Sequence, residues 1–504
     1  MSSYFFTHFA LHTIGTLGGG ISNFPWLSVS ILFPIGCAFL IPFFPDKGEG
    51  KEVRWFALSV ALITFLVTVG SYINGFDINN EDVQLKESIN WLPNLGLTWS
   101  VGADGMSMPL ILLTSFITAL AVLAAWPVKF KPKLFFFLIL IMDGGQIAVF
   151  AVQDMLLFFL SWELELLPVY LLLAIWGGKN RQYAATKFII YTAGSSIFIL
   201  LAALAMGFYG TEVPNFEFSH LANQDFGQNF QILCYIGLLI AFGVKLPIVP
   251  LHTWLPDAHG EATAPVHMLL AGILLKMGGY ALLRFNAQLL PIAHAQFAPL
   301  LIVLGVVNII YAALTSFAQR NLKRKIAYSS ISHMGYALAG LATVSNQGIQ
   351  SSITYISIYL VMNLAFFSCL FMLKRDDKYY ENIEDLSGLS KKHPILSFSL
   401  LIVLFSLAEI PPLAGFFAKF YVFLAVIEQS MYFLAIVGLL ATVVAAFYYL
   451  RIIKIIYFDP EKEEYETSHN LGLKITLAIS TIFILAYFLY PSGITEIVSK
   501  ITMI

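Results

Sequence analysis

The sequence predicts an all-α polytopic membrane protein of about 14 transmembrane helices, and three observations predict it. Of 504 residues, 58% are hydrophobic and 12% are charged, about half the charge of a soluble globular domain, and the mean hydropathy is +0.79. Apolar segments near the roughly 20 residues needed to cross a bilayer recur along the whole length. The charges gather between those segments, with a sign that changes from loop to loop.

In order, the segments lie near 24–44, 54–75, 107–126, 133–152, 153–176, 184–209, 229–258, 262–284, 298–318, 325–344, 351–373, 394–428, 430–457 and 472–490. Residues 1–23, with Gly18, Gly19 and Gly20, read as an amphipathic or flexible leader without the basic region and cleavage site of a removable signal. Basic residues follow the first, third, fifth, ninth, eleventh and thirteenth segments: Lys47, Lys51 and Arg54; Lys129, Lys131 and Lys133; Lys179 and Arg181; Arg320, Lys323, Arg324 and Lys325; Lys374, Arg375, Lys378, Lys391 and Lys392; Arg451, Lys454 and Lys462. The alternate loops are acidic or neutral, as in Asp77 to Glu87 and Glu212 to Asp225. By the positive-inside rule the basic loops face the cytoplasm and both termini lie opposite.

The seventh and twelfth segments are too long and too rich in proline to be straight helices. Pro247 and Pro250 interrupt one, Pro411 and Pro412 the other, and each proline removes a backbone donor and clashes with the preceding turn. Such a break at membrane depth is tolerated where the freed backbone is buried in protein or lines a water-filled cavity. Five segments separate the two breaks, an odd offset that inverts topology. The chain therefore reads as two inverted five-helix repeats with broken helices, a transporter plan with ion sites near the midplane. The division is 1–132 for leader and peripheral helices, 133–284 and 285–457 for the half-units, and 458–504 for a peripheral C-terminal helix.

Several function classes are excluded at this stage. Cys37, Cys234 and Cys369 lie apart in apolar segments, which encodes neither a disulfide framework nor a metal or iron–sulfur site. There is no dinucleotide or P-loop fingerprint, and nothing points to nucleic acid. No cofactor is expected in this chain.

What remains is a set of ionisable residues inside apolar segments, the default mark of an ion or proton path. Lys245 stands beside the first break, Lys276 lies in LLAGILLKMGGY, and Lys419 follows the second break. A paired lysine stays charged, and one whose partner withdraws in a dry site gives up its proton more readily. Glu163 and Glu165 share the fifth segment, about 200° apart on a helix, so only one can face a given partner. Glu409 lies ten residues before Lys419, about 15 Å along an unbroken helix and too far for direct pairing. It is read as perturbing Lys419, so that its removal preserves or raises flux. His252, His259, His267 and His333 are candidate proton-path contacts. For His252 and His259, flanking a break placed near the surface, a solvated or structural role is the equal alternative, and His333 falls at the start of the tenth segment. The His-x6-His spacing fits no strong zinc motif. Asp143 is an odd charge in the fourth segment, either protonated or lining the same path.

The stretch VKLPIVPLHTWLPDAHGEATAPVHMLLAGILLKMGGYALLRF resembles the core signature of the antiporter-like, proton-conducting membrane subunits of complex I and NDH-1, closest to the subunit 4 type of the cyanobacterial and chloroplast complex. From about Lys325 onward, YISIYLVMNLAFFSCLFMLKR and FSLAEIPPLAGFFAKFYVFLAVIEQ resemble instead the subunit N type of the same superfamily. The resemblance implies a membrane subunit of an NAD(P)H- or ferredoxin–quinone oxidoreductase that moves protons by a buried Glu/Lys relay. NADH or ferredoxin, iron–sulfur clusters and quinone would belong to partner subunits, in a bacterial inner membrane or a thylakoid. The family pattern places its key glutamate after the tryptophan and five residues before the proline, which selects Glu163 with Pro168 and makes Lys245 its partner. Lys276 becomes the central relay and Lys419 the station towards the far side. The alternative is a subunit of a multi-subunit Na+/H+ antiporter, and a scaffold that conducts nothing has no need of these buried charges.

Overall fold

The computed structural model describes residues 24–45, 50–92, 96–210, 213–375, 378–461, 466–467 and 470–501. The leader 1–23, Lys47, Glu212 and Lys462 lie outside them. Apolar stretches become α1 (Trp26–Ala38), α2 (Lys51–Gly75), α3 (Met108–Ala124), α4 (Pro132–Ala151), α5 (Met155–Leu164), α6 (Leu166–Trp176), α7 (Arg181–Gly207) and α8 (Gln228–Lys245). A short α9 (Trp254–Glu261) follows, and then the long helical stretch α10 (Ala264–Leu289), α-helical apart from two π-helical stretches. The rest are α11 (Pro291–Ala318), α12 (Leu322–Leu341), α13 (Asn346–Met372), α14 (Pro394–Leu407), α15 (Ala414–Glu428), α16 (Tyr432–Phe458), α17 (Leu471–Leu489) and α18 (Ser492–Val498). Side chains set several of the starts. Asp154 accepts from the amides of Leu156 and Leu157 at 2.9 and 2.8 Å, and Asn321, Ser345 and Asn470 cap α12, α13 and α17.

Among the described residues, eleven helices are long and apolar enough to cross a membrane. The other three expected spans fall short by that measure. α3 has 17 residues and α14 has 14, while α12 opens with Lys323, Arg324 and Lys325. The fifth span is divided at Glu165, which ends α5 and begins α6. Asp257 and Glu261, which fit a loop in the sequence, are part of helix α9.

Two small sheets depart from an all-α chain. Residues 84–103, next to the acidic loop, form the antiparallel hairpin β1 (Gln84–Leu92) and β2 (Leu97–Ala103). Their alternation of apolar and polar side chains has the period of a strand. Glu87 then reaches from β1 to the amides of Leu27 and Ser28 at 2.9 and 3.0 Å, satisfying the start of α1. β3 (Leu373–Arg375), β4 (Lys378–Tyr379) and β5 (Glu466–Thr467) form the second.

α10 and α13 are buried along their membrane windows, whereas α2, α7, α11 and α16 bury well under half of theirs. Leu66, Ile190, Leu233 and Val443 are each at least 65% exposed. In water that would be a liability, and in lipid it is the solvated surface. The basic loops meet on one face. Arg54 donates to the Val128 carbonyl at 2.8 Å, Trp176 to Phe130 at 2.8 Å, and Lys392 pairs with Glu461 at 2.6 Å. On the opposite face the hairpin meets the Asp154–Glu217 bridge, Thr98 lying 3.4 Å from both carboxylates, and Gln347 donates to Glu428 at 3.2 Å.

The two helix breaks close in the same way. Below α8 the amide of Ile248 reaches back to the Gly243 carbonyl at 2.8 Å; below α14 the amide of Ile410 reaches Phe405 at 3.0 Å. Both are the six-to-one bond that ends a helix in a left-handed turn. In this register Ile248, Pro250 and Leu251 match Ile410, Pro412 and Leu413, and Pro247 matches Glu409. α8 approaches its break from the acidic face and α14 from the basic one. This is the inverted relation expected from the sequence, with one lysine before its break and the other after.

Candidate proton path: two buried carboxylate–lysine pairs

The first pair lies where α8 stops. Lys245 occupies the last turn of α8, whose free carbonyls favour a cation. Its ammonium pairs with Glu165, and it lies 4.1 Å from the centroid of the Trp162 ring. The second Glu165 oxygen accepts from Gln146 of α4 at 3.3 Å. The break is held from two sides. Trp254 donates to the Val244 carbonyl at 2.8 Å, while Asn308 of α11 accepts from the Val249 amide at 2.7 Å and donates to Pro247 at 3.3 Å.

This corrects the expected partner. The spacing to Trp162 and Pro168 selected Glu163, but Glu163 is only half-buried, whereas Glu165 is fully buried. Of the two, Glu165 makes the ion pair with Lys245, while Glu163 acts on it only through space. The turn between α5 and α6 falls at Glu165 and aims it inward. Asp143 lies on α4 three residues before Gln146, on the same helical face. It is buried beside Thr118, and neither of its oxygens completes a hydrogen bond.

Lys276 comes next, on the buried α10. Its ammonium donates to the carbonyl of Ala271 in the π-helical stretch Leu270–Leu274 and lies 5.0 Å from the Tyr359 ring centroid. Among the described residues no carboxylate is within ion-pair distance of it. Gly278 allows α10 to rest on the first break, since a Cβ there would meet the Leu246 amide nitrogen at 2.6 Å and the Phe242 carbonyl oxygen at 2.9 Å.

At the second break Lys419 pairs with Glu409, donates to Thr442 of α16 at 2.6 Å, and sits 3.7 Å from the centroid of the Tyr336 ring. The sequence estimate of about 15 Å holds for an unbroken helix. Here the chain turns at 408–413, and α15 leads back past Glu409. Tyr355 of α13 donates to Glu409 at 2.9 Å and shares a 2.6 Å hydrogen bond with His333 Nδ1. The His333 ring stacks on Tyr359 at 4.4 Å between centroids, and Tyr359 donates to Ser330 at 2.8 Å. Hence His333, expected at the start of its segment, lies halfway along α12 and is buried.

His252 and His259 are buried rather than solvated at a surface. His252 faces the rings of Tyr311 and Tyr328. His259 and His267 lie 4.4 Å apart between centroids, with Phe367 against His267, and among the described residues no ring nitrogen of the three histidines makes a hydrogen bond of ordinary geometry.

The sequence reading passed over Tyr355, Tyr359, Thr442 and Gln146, whose hydroxyls and amide do not stand out among many in apolar segments. It also passed over Arg284, for which a charge within the eighth segment was a readable signal. Arg284 pairs with Asp104 at 2.6 Å and bonds Tyr280 and Gln288 at 3.2 and 3.1 Å. Burial pushes the Asp104 carboxyl up, but the Arg284 guanidinium and bonds from Ser107 outweigh it and hold it below the usual carboxylate range.

With this geometry in place, the chain can be set beside known proteins. Residues 152–445 match the family described as NADH:quinone oxidoreductase/Mrp antiporter, TM. The protein named NAD(P)H-quinone oxidoreductase chain 4 of Prochlorococcus marinus subsp. pastoris is 74% identical over 97% of this chain and 90% of its own length. The protein of that name from strain NATL2A is 60% identical over 94% and 88%. Among solved structures, a chain of respiratory complex I from Thermus thermophilus with bound NADH has a TM-score of 0.83 at 24% identity, covering 94% of this chain and 98% of that one. A chain of the Mrp complex from Dietzia sp. DQ12-45-1b has a TM-score of 0.78 at 18% identity, covering 94% and 52%. Both share the fold. The chain 4 relatives run through nearly the whole sequence, so the subunit N likeness beyond Lys325 does not mark a second type of chain. This integral membrane protein belongs to the NADH:quinone oxidoreductase/Mrp antiporter transmembrane family.

Proposed function

We propose that the chain is a proton-translocating membrane subunit of a complex I-type NAD(P)H- or ferredoxin–quinone oxidoreductase. It works beside other membrane subunits in the lipid bilayer and carries no redox centre of its own. One observation carries this reading: a buried line of titratable groups runs from Glu165 and Lys245 through Lys276 and His333 to Glu409 and Lys419, with a carboxylate–lysine pair at each helix break.

A buried ion pair whose geometry is disturbed leaves a stranded charge, which costs several kcal/mol. Redox energy arriving from partner subunits as a small movement of α5 and α6 would draw Glu165 away from Lys245. The ammonium would then pass its proton on towards Lys276, which has no carboxylate to hold it and serves as the central relay. Lys419 delivers the proton to the far side. Residues 133–284 and 285–457 act as the two half-units, with 1–132 and 458–504 at the periphery. The basic face lies towards the cytoplasm of a bacterial inner membrane or the corresponding side of a thylakoid, and both termini lie opposite.

The test is purification of the native complex with this chain, followed by Lys245→Ala in reconstituted vesicles. The variant should assemble, reduce quinone and pump severely less. Wild-type pumping by the assembled variant would overturn the relay. The shared family and the fold of the Mrp chain support a second reading as a Na+/H+ antiporter subunit, which predicts sodium-dependent flux without any electron donor.

A further inference from the structure

We propose that Glu409 is itself a proton carrier, joining His333 to Lys419 through the hydroxyl of Tyr355. This rests on the proton-translocating function proposed above and assigns a step within it. Tyr355 OH lies between His333 Nδ1 at 2.6 Å and Glu409 Oε1 at 2.9 Å, His333 Nδ1 is itself 3.5 Å from Oε1, so Tyr355 offers the shorter contacts, and the other Glu409 oxygen holds Lys419. Among the described contacts, this carboxylate provides the direct hydrogen-bonded link from Tyr355 to Lys419.

The backbone gives a second, independent reason. Glu409 has φ +59°, the left-handed region that favours glycine. It occupies the turn position after α14: its own amide bonds the Ser406 carbonyl at 3.0 Å, and that of Ile410 bonds Phe405. Glycine is the usual residue there because it has no Cβ to clash. A glutamate kept against that strain, buried, and aimed at a lysine and a tyrosine is read from its side chain, since strained backbone gathers at functional sites.

The transfer balances in two steps. Protonated His333 gives its Nδ1 proton to the Tyr355 oxygen while the Tyr355 hydroxyl proton moves to Glu409 Oε1, leaving neutral histidine, intact tyrosine and a carboxylic acid. The acid then protonates neutral Lys419, which restores the carboxylate and forms the ammonium. One proton has moved from His333 to Lys419, and Tyr355 and Glu409 have returned to their starting forms. The groups facing the carboxylate are Lys419, His333 and Tyr355, with Tyr336 close by. A groove lined by Gln347, Gln350, Thr354, Tyr421, Leu424 and Val498 includes Thr354, next to Tyr355 in the chain, and Tyr421, two residues from Lys419.

The two breaks thus differ in what opens them. Glu165 and Lys245 sit on separate helices and respond to movement between them. Glu409 and Lys419 flank one break and respond to its bending.

The experiment uses the whole complex in vesicles, reading protons pumped per quinone reduced, with Glu409→Gln, Glu409→Gly, Tyr355→Phe and Lys419→Ala. Glu409→Gly relieves the backbone but strands the buried Lys419, so pumping is read on complex whose assembly on native gels matches wild type. Both Glu409 variants and Tyr355→Phe should lower pumping at least threefold, as Lys419→Ala does. An infrared difference spectrum on turnover should show a protonated-carboxyl band that disappears in Glu409→Gln. Wild-type pumping by Glu409→Gly beside a defective Lys419→Ala, or an unchanged carboxyl band in Glu409→Gln, would overturn the assignment. Wild-type pumping by both Lys419→Ala and Lys245→Ala would instead overturn the proposed function, and this step with it.

Discussion

Glu165→Gln is the sharpest single perturbation of the first pair. The substitution keeps volume and leaves an amide oxygen and nitrogen for Gln146, but it removes the anion that faces Lys245. Lys245 is 2% exposed and Glu165 is not exposed at all. Water therefore cannot replace the lost partner, and stranding one charge of such a pair costs about 3–5 kcal/mol. At about 1.4 kcal/mol per factor of ten, that is roughly two to four orders of magnitude in the balance between charged and neutral lysine. Control of the proton by Glu165 is then lost, and pumping coupled to quinone reduction should fall at least tenfold in the share carried by this subunit. Glu163→Gln is the matched comparison, since Glu163 is half-buried and acts on Lys245 through space without forming the ion pair. It should retain at least half of wild-type pumping. The assay is proton uptake into vesicles holding the assembled complex, normalised to quinone reduction. If Glu163→Gln abolishes pumping and Glu165→Gln does not, the pair in the working enzyme is the one indicated by sequence spacing, and the argument from this geometry is wrong.

Three further outcomes are expected. Gly278→Ala places a Cβ 2.6 Å from the backbone nitrogen of Leu246, which cannot swing aside, so overpacking of about 1–3 kcal/mol should lower the yield of assembled complex on native gels. Arg284→Ala leaves Asp104 buried without its cation and should lower the thermal midpoint of the complex through a loss of about 3–5 kcal/mol, whereas a matched substitution at exposed Arg324 should cost under about 1 kcal/mol. Asp154 lies at the membrane edge, and burial pushes its carboxyl up to about 6 against the opposing bonds from Leu157 and Leu156. A folded value above the unfolded one near 3.8 contributes stability that is full below about pH 4 and is lost as pH rises through about 6. Asp154→Asn, which keeps a good helix cap, should flatten the fall in melting temperature across that window, and an unchanged profile would show that another group sets it.

The fold class was legible in the sequence because a bilayer imposes a one-dimensional rule. A segment near 20 apolar residues has to cross, and its backbone has to be helical. The same rule located the two breaks, since proline acts on its own turn and needs no tertiary partner to do so. Lys245, Lys276 and Lys419 stood out for the related reason that a charge in hydrocarbon is conspicuous wherever it points. What the sequence could not supply was direction. Glu163 and Glu165 are equally acidic, and the spacing to Trp162 and Pro168 favoured Glu163, whereas the bend between α5 and α6 gives the ion pair with Lys245 to Glu165. Counting residues separated Glu409 from Lys419 by the length of a helix, and the turn at 408–413 closed that gap. His333, Tyr355 and Glu409 come from three separate segments, and one chain position carries no information about the other two. Local chemistry, which acts through bonds and neighbouring turns, was determined by the sequence itself. Which buried charge meets which depends on side-chain direction and on the crossing of helices, and only the tertiary structure decided that.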